Sequence, residues 1–281
     1  MNLFFNENIK LSKTLYKIDI SISVLYAAVA FNSRTPLQAL TTTGIIFAFL
    51  FVISNSLVSN KDNKKLSYIL ATLYDECNPS LFLSEIDDAI DLSIVKDKVK
   101  TLILSHKANA LSYDGKFSEA YKILDEISTI ATSEEDKALL LGNKISYKLL
   151  EEDFDNMDED IRVLQKYINL NAGKGKNKSI LTNNSVVQKK LQLKIAKSEK
   201  LNSSEVNTLW EITNHGGNNL NLQTLRYYSA LFLVEEKDIK GASEQLNKIN
   251  RNQENNIIEI RANELYKSIE HLIPVETEDE E

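Results

Sequence analysis

Glycine, proline and cysteine are scarce in this chain, at 8, 3 and 1 of 281 residues. A β-rich fold needs many tight turns, and turns draw on glycine and proline, so their scarcity weighs against one. A single cysteine, Cys77, excludes an intramolecular disulfide and a cysteine-rich metal cluster, and it fits a reducing compartment. Histidine is nearly as rare. His106, His215 and His271 show no H-x-x-x-H or H-E-x-x-H spacing, so no histidine metal site is expected. The remainder is 43% hydrophobic and 26% charged, a folded composition whose Leu, Ile, Lys, Glu and Ala favour helix.

Charge is also missing from one long stretch. Residues 36–58, PLQALTTTGIIFAFLFVISNSLV, hold no ionisable side chain. As a helix they extend roughly 35 Å, enough for a hydrocarbon core of about 30 Å. A shorter apolar run, Leu15 to Phe31, precedes them and carries Lys17 and Asp19 near its start, where Lys17 can snorkel toward headgroups. The link Asn32-Ser33-Arg34-Thr35 is so short that two spans, about 15–31 and 36–58, would form a tight transmembrane hairpin. Lys10, Lys13 and Lys17 come before it, and Lys61, Lys64 and Lys65 follow. The positive-inside rule then puts both termini in the cytoplasm. Two alternatives stay open. Ala28-Val29-Ala30 has the small-x-small form of a signal-peptidase site, which would leave a single-span anchor, although Asp19 interrupts the apolar core before it. A buried hairpin in a soluble protein is the other.

The first sixty residues carry +2, so the total of −7 leaves −9 on residues 61–281. An acidic body argues against nucleic acid, which needs a basic face.

From Lys64 the pattern becomes helix, short break, helix. Leu66, Ile69, Leu70, Leu73 and Tyr74 form one stripe, and Asn78-Pro79 opens the partner helix with Leu81, Phe82, Ile86, Ala89 and Ile90. The next pairs span Val95–Tyr113 with a helix capped by Ser118, Ser133–Leu150 with Met157–Leu170, Val186–Ser198 with Ser204–Asn214, and Leu222–Glu235 with Ile239–Ile249. A last helix, Ile257 to Leu272, reads as a solvating cap. The breaks fall near Asn78, Gly115, Asp153, Lys200 and Lys237, at intervals that indicate stacked helical hairpins.

Ala108, Leu111, Gly115, Phe117, Ala120 and Leu124 make a small-apolar-Gly-aromatic-small-apolar ladder, and Ala230, Leu233, Ile239, Ala242 and Leu246 make a similar one. This resembles the tetratricopeptide repeat. The copy at Asp153 keeps Phe154 but has Asp158 where the small residue belongs, and every copy lacks the family's early Trp and closing Pro. The resemblance implies an α-solenoid of about five pairs over 61–272; with the 1–60 membrane anchor read from the apolar runs and a 273–281 acidic disordered tail read from its charge, the chain is expected to be all-α.

No reaction is legible. Asn171 to Ser179, NAGKGKNKS, lacks the G-x-x-x-x-G-K-[ST] spacing of a phosphate loop and reads as a basic surface loop whose Lys174, Lys176 and Lys178 could touch anionic headgroups. The clusters Asp87-Asp88-Asp91, Asp153-Asp155 and Asp158-Glu159-Asp160 read as solvated helix faces. Cys77 has no evident catalytic base. The sequons at Asn177, Asn183 and Asn202 matter only outside the cytoplasm. The chain is therefore expected to be a non-enzymatic, cofactor-free adaptor or scaffold that binds a protein or peptide partner at the cytoplasmic face of a cell membrane. The alternative is an accessory subunit of a membrane transport or secretion complex, with Gln38 and Thr41-Thr42-Thr43-Gly44 packing on partner spans. In a solenoid the first helices of each pair line the concave face. The candidate partner-binding residues there are Lys107, Asn109, Asn143, Lys144, Tyr147, Arg226 and Tyr227.

Overall fold

The computed structural model describes residues 5–33, 36–92, 97–130, 133–171, 183–215, 217–249 and 253–273. The Arg34-Thr35 link, Lys174, Lys176 and Lys178, the Asn177 sequon and the tail from Pro274 lie outside the described residues. The chain is all-α. Its helices are α1 (Asn6–Ser33), α2 (Pro36–Tyr74), α3 (Pro79–Ala89), α4 (Asp97–Tyr113), α5 (Phe117–Ile130) and α6 (Glu134–Glu151). They continue as α7 (Met157–Asn171), α8 (Asn183–Ala196), α9 (Ser203–His215), α10 (Asn219–Glu235), α11 (Ile239–Asn247) and α12 (Ile257–Ile269).

Two compact units are present: residues 1–70 with 84–100, and residues 71–83 with 101–281. Both units take part of α2, which runs unbroken for 39 residues. Its polar segment beyond residue 58 also stays with α1: Asn8 Nδ2 donates to the buried carboxylate of Asp62 at 2.5 Å.

In the first unit Phe5, Val58 and Ile69 are buried in the usual way, but midway along the α1/α2 pair the polarity is locally inverted. Asp19 and Ser23 are buried, Ser54 Oγ donates to Asp19 Oδ1 at 3.3 Å, and Ser23 Oγ donates to the Asp19 carbonyl at 2.8 Å. Tyr16 sets its ring edge against Phe47 and Phe51, each at 6.1 Å. Numbers fall along α2 as they rise along α1 (62 with 8, 54 with 19), so these stretches run antiparallel. Large apolar side chains face outward beside Lys17 and Ser21: Val24, Leu25, Ile45 and Phe49 are 63%, 69%, 68% and 66% exposed. Among the described residues one segment, Ile45–Tyr74, is long and apolar enough to cross a membrane.

The second unit repeats one local geometry. The helix before each break ends on a left-handed residue: Cys77, Gly115, Glu152, Ser198 and Lys237, with φ between 55° and 76°. In four of them the next amide donates to a carbonyl five residues back, as Lys116 does to Leu111 and Asp238 to Leu233. Asn78 closes the fifth on Thr72. These bonds satisfy carbonyls that a helix end leaves orphaned. Helix starts are capped as well. Asn78 Oδ1 accepts from Leu81 N, and Ser133 forms a reciprocal capping box with Asp136. Ser118 is not a cap: α5 already begins at Phe117, and Ser118 is an exposed first-turn residue.

Consecutive helices from α5 to α12 pack in turn, and α6, α8, α10 and α12 also pack each on the next even-numbered helix. Leu150, Leu191, Ile195, Leu209, Tyr228, Ala230, Leu246 and Ile258 fill one core, and Ile145, Leu149, Met157, Leu164, Val186 and Leu193 fill another. The even-numbered helices also meet across long sequence distances. Tyr113 on α4 and Thr224 on α10 share a hydrogen bond at 3.1 Å, 111 residues apart. Asn219 Nδ2 donates to the Asp75 carbonyl, and Asn256 Nδ2 to the Cys77 carbonyl at 3.0 Å, 179 residues apart. In an open stack each pair touches only its neighbours. Here the inner layer closes on itself.

Candidate functional site

The expected partner-binding residues are dispersed through the second unit. Tyr147 Oη donates to Asn109 Oδ1 at 2.7 Å, and Asn109 Nδ2 donates to Tyr74 Oη, which bonds His106 Nδ1 at 2.8 Å. Tyr147 is 1% exposed, and burial raises its pKa far above the usual tyrosine value, so it stays a neutral donor. Asn143 leaves its buried amide nitrogen without a partner. Lys107 is half-buried and Lys144 exposed. Arg226 donates from Nη1 to the Lys248 carbonyl at 2.8 Å, and Tyr227 is buried with its ring against Tyr228. Asn109 and Tyr147 are thus joined to each other inside the unit. Arg226 and Tyr227 line two further, separate pockets.

Burial sets the protonation of both Cys77 and His106. The Cys77 thiol is 2% exposed and pushed up to about 12 by burial, with the Glu259 and Asp75 charges adding to it. It remains a protonated thiol rather than a nucleophile. His106 is pulled down to about 4 by burial and is neutral at pH 7. Among the described residues no group of three or more His, Cys, Asp or Glu side chains could hold a metal ion.

A different place in the second unit does gather polar groups. α4, α6, α8 and α10 surround a partly open cavity of about 470 Å³. Each helix contributes through its inward register. α4 supplies Tyr113; α6 supplies Ser146, Leu149 and Leu150; α8 supplies Ser185, Gln188, Lys189 and Gln192. Asn218, which caps α10, stands beside Asn221, Thr224 and Tyr228 of that helix. Gln188 Nε2 donates to Asn221 Oδ1 at 2.9 Å, and Tyr228 Oη to the Leu149 carbonyl at 3.2 Å. Lys189 is 9% exposed, and its ammonium donates to Ser146 Oγ. Among the described residues no carboxylate lines the cavity. With no counter-charge, burial alone lowers the Lys189 pKa to about 8.

None of these lining residues was among the sequence candidates, although a signal existed. Val186, Lys189 and Leu193 follow the i, i+3, i+7 spacing of a buried face, and lysine occupies the middle position. A charged residue in core register is the sequence mark of this site.

No family model, curated protein or solved structure matches the chain.

Proposed function

We propose that this chain is a membrane-anchored, non-enzymatic adaptor: an N-terminal helical hairpin of two spans tethers a tetratricopeptide-like helical domain at the cytoplasmic face, where it holds a protein partner. The observation that carries the anchor is the locally inverted polarity of the first unit. Asp19, Ser23 and Ser54 face inward while Val24, Leu25, Ile45 and Phe49 face out. Large exposed apolar side chains are unfavourable in water and suit lipid, and intramembrane polar groups pair away from it. The uncharged run 36–58 supports one span, the apolar run 15–31 is read as the other, and the flanking lysines favour both termini on the cytoplasmic side. The five left-handed helix endings support the repeat reading. The partner-holding role rests on the architecture alone.

Membrane extraction tests the anchor. The full chain should stay with membranes through high salt and alkaline carbonate and leave only with detergent. Recovery in the carbonate supernatant would refute the anchor. Crosslinking in cells tests the adaptor role. Partners retained by residues 61–281 fit an adaptor, whereas partners lost with residues 1–60 favour an accessory subunit whose spans pack in a complex.

A further inference from the structure

We propose that the cavity enclosed by α4, α6, α8 and α10 binds a small, hydroxyl-rich molecule carrying one carboxylate, with Lys189 as its counter-charge. Burying an ammonium with one neutral partner is costly, and an apolar residue at a core register would avoid the cost. Lys189 has three donors, and Ser146 uses one of them. An anionic group on a ligand would neutralise the charge and accept the remaining hydrogens. The rest of the lining narrows the ligand class. The Ser185 hydroxyl, the Gln192 amide and the amide nitrogen of Asn218 offer neutral groups that match ligand hydroxyls, whereas Thr224 is already bonded to Tyr113 and the Leu220 carbonyl. The absence of any carboxylate among the described lining residues disfavours a cationic or zwitterionic ligand. Leu149 and Leu150 supply a limited apolar wall for a carbon skeleton. About 470 Å³ lies within the usual range of small-molecule sites, roughly 300–1,000 Å³, and is too small for a partner helix about 10 Å across. The site is independent of the membrane anchor, so either can fail without the other.

Calorimetric titration of the full-length chain in detergent at neutral pH tests this, with sodium gluconate as the probe and glucose as its neutral counterpart. An acetylated dipeptide, as free acid and as amide, separates a free metabolite from a chain terminus. Gluconate should bind, and glucose at least about tenfold more weakly, as expected when a charge-assisted bond is lost. Lys189→Met should abolish the difference. Should that variant fail to fold, Ser185→Trp, which fills the cavity without touching the charge, should also lose gluconate. Selective binding of the free-acid dipeptide in place of gluconate would overturn the metabolite reading. The site itself is overturned if gluconate gives no heat up to about 10 mM, where even a millimolar site is occupied, or if gluconate and glucose bind alike. Unchanged gluconate binding in Lys189→Met overturns it as well.

Discussion

Lys189 is a buried base and His106 a partly buried one; the folded forms of both resist protonation, and each leaves a signature in the pH dependence of stability. Lys189 falls from the usual 10.5 to about 8, so between those values the unfolded chain holds a proton that the folded chain has released. Stability from this group therefore rises as pH climbs from about 8 to 10.5, by about 3 kcal/mol. Tyr113 and Tyr228, the other titratable groups lining the cavity, are raised by burial and keep their protons in the folded chain, so they oppose this rise only above the ordinary tyrosine value of 10. Denaturant melts of Lys189→Met should show a more stable protein at pH 7 and a flatter alkaline limb than the native chain. His106 acts at the other end. With a pKa near 4 against 6.5 unfolded, its contribution is complete above 6.5 and is lost as pH falls through 4, also by about 3 kcal/mol. His106→Gln, compared with the native chain by acid titration of helicity, should have a shallower loss between those values. The Cys77 thiol should resist alkylating reagents until the fold is opened by denaturant, because it is both buried and protonated at pH 8.

At the scale of the helix, the endings are where sequence and structure part company. Helix existence was legible from apolar spacing alone: the stripe Leu66 to Tyr74, the pair around Gly115 and the capped start at Ser133 all appear at the expected places. The five left-handed endings were legible only once, at Gly115, because the other four use Cys77, Glu152, Ser198 and Lys237, which carry no turn signature. A non-glycine residue in that conformation costs roughly 1 kcal/mol. Lys237→Gly should therefore raise the unfolding free energy by about 1 kcal/mol, since Lys237 is exposed and its bond runs through the backbone. Ser133→Ala should lower it by about as much by removing the reciprocal cap on α6. The binding cavity was hidden for a related reason. Spacing shows which residues face inward, but not that α4 and α10, more than a hundred residues apart, face each other.

For the second unit as a whole, the bonds from Asn219 and Asn256 back to the Asp75 and Cys77 carbonyls replace an open stack with a closed inner layer. An open array can unravel from its ends, pair by pair. A closed one should lose its structure in a single transition. Asn256 is pivotal, since its Oδ1 also caps Ile258 and Glu259 at the start of α12. Asn256→Ala removes the cap and the long-range bond together and should cost about 2 kcal/mol. Urea unfolding followed by circular dichroism would check both the loss and the single transition. A native chain that melts in separate steps would speak against a closed layer.

That closure also sets an order of events during synthesis. The carbonyls of Asp75 and Cys77 leave the ribosome long before Asn219 and Asn256 exist, so the early helices must wait for most of the chain before their last partners arrive. At about 5–20 residues per second, the 179 residues between Cys77 and Asn256 take on the order of ten seconds to make. During that interval the nascent chain carries exposed inner surfaces that its own C-terminal helices later cover.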